Sequence, residues 1–289
     1  MVAILYRANK NKKIQKTVDF IILVMLVIIV FELLIINKNI GFAEDNASSP
    51  EANVESSYDY DSDETAHDEN VIKEVDGVPV ISQFPELPSG CESAAASMLA
   101  QWAGINVNKQ EIAKFLPKGP LPIYRNGLLY GMSPEEVFIG DPFSNKGFGV
   151  YHGPVASVLN LYLEGNARDI TGVSFQEMLK VIDGGRPLVV WATKDMALPY
   201  IYGSWYDKDG KKIEWIAPEH VFVLVGYTSK EVIVNDPYTG QRKLYPIKTF
   251  ENRWESMGRQ AVTVSDRIPG KLVVTDITDL KDIKDKHGT

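Results

Sequence analysis

The chain has 289 residues, of which 45% are hydrophobic and 10% aromatic, an ordinary composition for one or two packed domains. Its formal net charge of −8 excludes a nucleic-acid partner, because phosphate-binding surfaces are basic. With one cysteine, Cys91, it forms no internal disulfide, and one cysteine with four scattered histidines offers no zinc-ligand spacing, so neither a metal nor a cofactor is expected.

Arg7, Lys10, Lys12, Lys13 and Lys16 precede an apolar run over residues 20–36 that Glu32 interrupts. A basic N-terminal flank predicts insertion with the N-terminus inside and the rest of the chain outside. Residues 20–31 suit a signal-peptide core and Gly41-Phe42-Ala43 a small-x-small cleavage site, whereas the whole run nearly suffices to span a bilayer. Glu32 counts against a permanent span, since a carboxylate at the bilayer centre costs about 3 kcal/mol. Residues 1–43 therefore read as a signal peptide or an N-terminal membrane anchor. Either fate places the remainder on the extracellular side of the cytoplasmic membrane, with membrane contact only through this segment.

Residues 44–76 are acidic and polar, with the block Tyr58-Asp59-Tyr60-Asp61-Ser62-Asp63-Glu64, and read as a disordered linker that cannot bury enough apolar surface to offset its ordering entropy. Their spacing does not match an EF-hand. The folded domain is predicted over residues 77–264, acting as a monomer, with 265–289 a charged appendage.

Within the domain, residues 78–83 read as a short strand and Phe84-Pro85-Glu86-Leu87-Pro88-Ser89-Gly90 as a turn-rich loop. A helix begins near Cys91 and stops at Gly104. Further helices are predicted over 109–116, over 155–163 after Gly153-Pro154, and over 175–182, closed by Gly184-Gly185. The insertion 194–218, with Tyr200, Tyr202, Trp205, Tyr206 and Trp215, reads as a lid or subsite wall, or equally as a surface hairpin. Strands are predicted over 188–191, 220–225, 232–234 and 260–264. Helices in the first half and antiparallel strands in the second make an α+β domain.

Cys91 falls at a helix start, where free N–H groups and the helix dipole are expected to depress the thiol pKa. A thiolate nucleophile needs a proton-transfer partner, best a histidine. His67 lies in the acidic linker and His287 in the tail, and His152 reads as a loop or cleft residue ahead of a helix. His220 opens a predicted strand, alone readable as a core histidine. Counting both arms back from the turn at 228–231 brings Asp236 beside it, where a carboxylate fixes the imidazole tautomer. Gln83, eight residues before Cys91, offers an amide that joins the Cys91 N–H in holding an oxyanion.

Gln83 with the loop to Gly90-Cys91-Glu92-Ser93, the run Glu219-His220-Val221-Phe222-Val223-Leu224-Val225-Gly226-Tyr227, then Val234-Asn235-Asp236-Pro237, and finally Phe250 to Trp254 resemble the bacteriocin-processing double-glycine peptidases and their stand-alone relatives in the papain-like superfamily. The resemblance covers nearly all of residues 78–264. It implies a papain-like cysteine peptidase fold, a cleft between a helical lobe bearing Cys91 and a β lobe bearing His220, and peptide or protein substrates. Leader peptidases of that family are usually domains of ABC exporters with Asp-Cys-Gly at the nucleophile. Here Gly90-Cys91-Glu92 follows an export signal, which points to a stand-alone exported form. The expected function is a cysteine hydrolase of peptide or isopeptide bonds using Cys91, His220, Asp236 and Gln83. The alternatives are a catalytically silent binding module and a thioester-forming acyl transferase.

Overall fold

A computed structural model of the chain describes residues 73–265 and Arg267. The N-terminal segment, most of the acidic linker, His67, His287 and the tail beyond Arg267 lie outside the described residues. No helix among the described residues is long and apolar enough to cross a membrane.

The helices are α1 (Cys91–Trp102), α2 (Lys109–Phe115), α3 (His152–Leu163), α4 (Phe175–Asp183) and α5 (Ile247–Ser256). The strands are β1 (Lys73–Glu74), β2 (Lys118–Gly119), β3 (Ile123–Arg125), β4 (Leu128–Tyr130), β5 (Phe138–Ile139), β6 (Ala167–Asp169), β7 (Leu188–Thr193), β8 (Tyr200–Tyr206), β9 (Lys212–Ala217), β10 (Glu219–Tyr227), β11 (Glu231–Asp236), β12 (Gln241–Pro246) and β13 (Ala261–Val264). The order of the main antiparallel sheet is β12-β11-β10-β7-β13-β6, with β1 paired to the far end of β10. This is the papain-like α+β fold expected, with helices gathered ahead of a β lobe.

The central strands β7 and β10 are buried along nearly their whole length, and their continuous apolar runs fit that double cover better than alternation would. Helix α1 is buried almost all round, so its small residues Ala94, Ala95 and Ala96 let it approach both the sheet and α3 closely. Trp191, Trp254, Phe222, Phe250, Met98 and Leu99 fill the core, each contributing about 2 kcal/mol or more by burial. Asn108 and Ser174 start α2 and α4 with complete capping boxes, which satisfy N–H groups the helices leave free.

Two expectations change. Residues 78–83 form no strand; they run as an irregular extended segment pinned by Asn235, whose Nδ2 donates to the carbonyls of Val78 (3.4 Å) and Pro79 (3.1 Å), and by the Gln83 amide, which donates to Pro237 (2.8 Å). Pro79 cannot donate to a ladder, which weakens any pairing at the start of this segment. The sheet also begins at Lys73, ahead of the predicted boundary at 77. The insertion is a hairpin, β8 against β9, extended by β3 and β4 into a four-stranded arm.

Candidate active site

Cys91 is the first residue of α1, with Gly90 at the N-cap position. A Cβ on Gly90 would lie 2.8 Å from that of Leu87, so only glycine lets the loop fold back tightly enough to present Cys91 here. The first turn of α1 leaves N–H groups without an intrahelical partner, that of Cys91 among them.

The ladder between β10 and β11 opens at the pair Val223 and Asn235. Asp236 lies one residue beyond it on one strand and His220 three residues before it on the other, so the two side chains meet diagonally. His220 Nε2 and Asp236 Oδ1 are 2.7 Å apart, and both residues are buried. Asp236 is further held by the Tyr238 amide at 2.9 Å, the Thr239 hydroxyl at 2.9 Å and Lys243 Nζ at 3.1 Å. Burial works against its ionisation, but the hydrogen bond and charge of His220, with those from Lys243 and the Tyr238 amide, outweigh it and keep the carboxyl well below the usual carboxylate range. An ionised Asp236 only accepts, so Nε2 carries the proton of this pair and Nδ1 is the nitrogen left for another partner.

The thiol departs from expectation. Its pKa is raised, because burial and the carboxylates of Glu92 and Glu219 oppose the thiolate, against the smaller help of the Val221 amide. The Cys91 thiol donates instead to Glu92 Oε2, 3.4 Å away. The other oxygen of Glu92 accepts from the Val150 amide at 2.7 Å. Burial pushes Glu92 up to about 7, against its own amide and that of Val150, and burial together with Glu92 pushes Glu219 well above its ordinary value. One donor atom each from Cys91, Glu92 and Glu219 lies within 4.8 Å of the other two. These two carboxyls oppose the helix dipole at Cys91, and both stand in the sequence directly beside a predicted site residue, Glu92 after Cys91 and Glu219 before His220.

Gln83 is buried, and its amide nitrogen donates to the carbonyls of Leu87 (3.2 Å) and Pro88 (2.9 Å) while Oε1 has no partner. As placed, it ties down the loop entering Cys91, and an oxyanion would compete with Pro88 for one of these hydrogens. Lys109, the first residue of the predicted helix 109–116 and not singled out by sequence, fixes the same loop: its ammonium donates to Ser82 O (2.6 Å) and Phe84 O (3.1 Å) and pairs with Glu86 at 2.6 Å. His152 is not in a loop. It is the first residue of α3, with Nδ1 at 2.5 Å from Asp169 and Nε2 at 3.3 Å from Glu135, so it belongs to a separate ion-pair cluster.

A helical lobe that begins with a cysteine at a helix N-terminus, followed by an antiparallel β lobe, is the papain-like α+β fold of C39-like proteins. The chain belongs to the Peptidase_C39 like family, which matches residues 75–262. It is 32% identical over 180 residues to the uncharacterized protein YvpB of Bacillus subtilis (strain 168), covering 62% of this chain and 70% of that one. It is also similar to a crystal structure from Bacillus anthracis described as C39-like, with a TM-score of 0.62, 32% identity, and coverage of 67% of this chain and 97% of that chain.

Proposed function

We propose that this protein is an exported cysteine hydrolase that cleaves peptide or isopeptide bonds through Cys91, His220 and Asp236. The observation that carries the reading is the buried 2.7 Å pair of His220 with Asp236 on the strand whose next amide, Val221, faces the thiol. Asp236 orients the ring so that Nδ1 takes the Cys91 proton, and Sγ attacks the carbonyl carbon. The tetrahedral oxyanion is held by the Cys91 amide with Gln83, once Gln83 gives up one loop carbonyl. The C–N bond breaks as His220 returns the proton to the leaving amine, which leaves a thioester. Water then attacks the thioester, giving one proton to His220, and the S–C bond breaks to regenerate the thiol and release an acid. Export rests on residues 1–43, read as signal peptide or anchor.

The test is a mass-spectrometric search for new peptide termini after incubating a complex peptide mixture with the full chain. Wild type is expected to create them, and Cys91→Ala and His220→Ala are not. Cleavage that gives hydroxamates when hydroxylamine is added reveals the thioester. A protein that binds peptides from the mixture but cuts none, with both variants binding equally, is the silent binding module instead.

A further inference from the structure

The His–Asp pair leaves Glu92 and Glu219 without a task, and yet these carboxyls crowd the thiol. Glu92 is held only by the Cys91 thiol and the Val150 amide among the hydrogen bonds described, and the buried Oε1 of Glu219 has no hydrogen-bond partner. Gly149 keeps the space between them open: a Cβ there would lie 2.6 Å from Glu92 Oε1 and 3.1 Å from Glu219 Oε2. Burial holds two such carboxyls toward their protonated forms until a cation offsets their charge, and Glu219 Oε1 has a free place for its donor.

Glu219 also lines a cleft of about 350 Å³ that opens to solvent between the 145–148 loop and the hairpin, with Phe148, Tyr202 and Trp215 as its walls and Lys146 as its one lining cation. Phe148 packs edge-on against both Tyr202 and Trp215. Such walls receive an aromatic or large apolar side chain, and they also favour a cation near a ring face.

We propose that Glu219 and Glu92 receive the ammonium on the carbon next to the attacked carbonyl, so that the acyl donor is a peptide with a free α-amino group whose first side chain enters the aromatic cleft. This rests on the hydrolase reading above. Distance selects the α-ammonium: in the acylated enzyme, sulfur and α-nitrogen are three bonds apart, roughly 3 Å, which matches a cation touching carboxylates within 4.8 Å of Sγ. A lysyl ammonium would sit four bonds farther out. The bound ammonium also offsets the charge of these carboxyls, which after burial is the next influence holding the thiol protonated.

The experiment compares two probes on the full chain in EDTA: phenylalanyl chloromethyl ketone with a free amine, and its N-acetyl form. Alkylation of Cys91 is followed by mass spectrometry, and each rate is divided by that probe's rate with glutathione at the same pH. The normalised rate for the free amine is expected to exceed that of the N-acetyl probe at least tenfold, and the ratio to fall to near one in Glu219→Gln. Glu92→Gln, which can keep the acceptor for the Val150 amide, is expected to lower the ratio as well and serves if Glu219→Gln does not fold. Equal rates for the two probes on wild type, or a faster N-acetyl probe, overturn the ammonium site and leave the hydrolase reading standing. If neither probe alkylates Cys91 until the protein is unfolded, the hydrolase reading itself fails and takes this site with it.

Discussion

His220 and Asp236, sixteen residues apart in the chain, meet at 2.7 Å because β10 and β11 stop pairing just where the two side chains need room. Lys243, on the neighbouring strand β12, approaches the other oxygen of Asp236 and is itself held by Asp195 at 2.9 Å. The carboxylate is therefore held on both oxygens, by His220 and by Lys243, and cannot swing away from the ring. Asp236→Asn keeps the volume but presents an amide where the imidazole N–H needs an acceptor, favouring the wrong tautomer. A drop in kcat/KM of about 10²-fold or more is expected, read with any peptide that the terminus search identifies. A variant retaining full turnover would remove Asp236 from the mechanism.

Glu92 makes a pH prediction with a definite sign. Its carboxyl is raised from an ordinary 4.5 to about 7 in the folded protein, so the fold prefers the protonated form. That preference stabilises fully below pH 4.5 and is lost as the pH rises to about 7, worth at most about 3 kcal/mol. Glu92→Gln has no such proton to lose. Urea midpoints measured at pH 4.5 and pH 7.5 should therefore show a smaller loss for the variant than for wild type. Parallel losses in the two proteins would show that Glu92 titrates as an ordinary carboxylate.

Gly149 holds the carboxyl pair apart by having no side chain. Its φ of +146° is one that L side chains rarely adopt, and an added Cβ would meet Glu92, Glu219 and the Trp215 ring within 3.1 Å. Gly149→Ala is expected to cost about 2 kcal/mol or more from strain and overpacking together, measured by chemical denaturation. An unchanged stability would mean that the carboxyls have room to move aside.

The sequence carried much of this architecture because its signals were local. Helix-forming residues and glycine stops located α1 and α4 to within about two residues, and counting back from a turn joined His220 to Asp236. What escaped was set by tertiary contact. Strand β12 alternates exposed and half-buried residues and lacks an apolar run, so its pairing with β11 leaves little trace in composition. Glu92 looks like an ordinary acid complementing a helix start, and only the approach of Glu219 from β10 turns it into half of a crowded pair. The thiol pKa runs against the helix dipole for the same reason: burial in the fold raises it most, and Glu219 adds its charge from β10 to that of the neighbouring Glu92.

Lys109 tests whether the loop before Cys91 must be held for the proposed reaction. Its ammonium donates to the carbonyls of Ser82 and Phe84, which lie in no strand, and its charge partner among the described residues, Glu86, is on the same loop. Lys109→Met retains most of the buried stem and removes the three contacts. Leaving two carbonyls short of a donor is expected to cost about 1–3 kcal/mol, seen as a lower melting temperature. Gln83 sits between those two carbonyls in sequence, so a loosened loop also misplaces its amide relative to the helix start. If Gln83 holds the oxyanion, kcat falls in this variant while KM stays close to wild type, because the lost interaction belongs to the transition state. A variant that loses stability but keeps kcat would assign Lys109 and Gln83 to loop architecture alone and leave the oxyanion to the backbone amides at the start of α1.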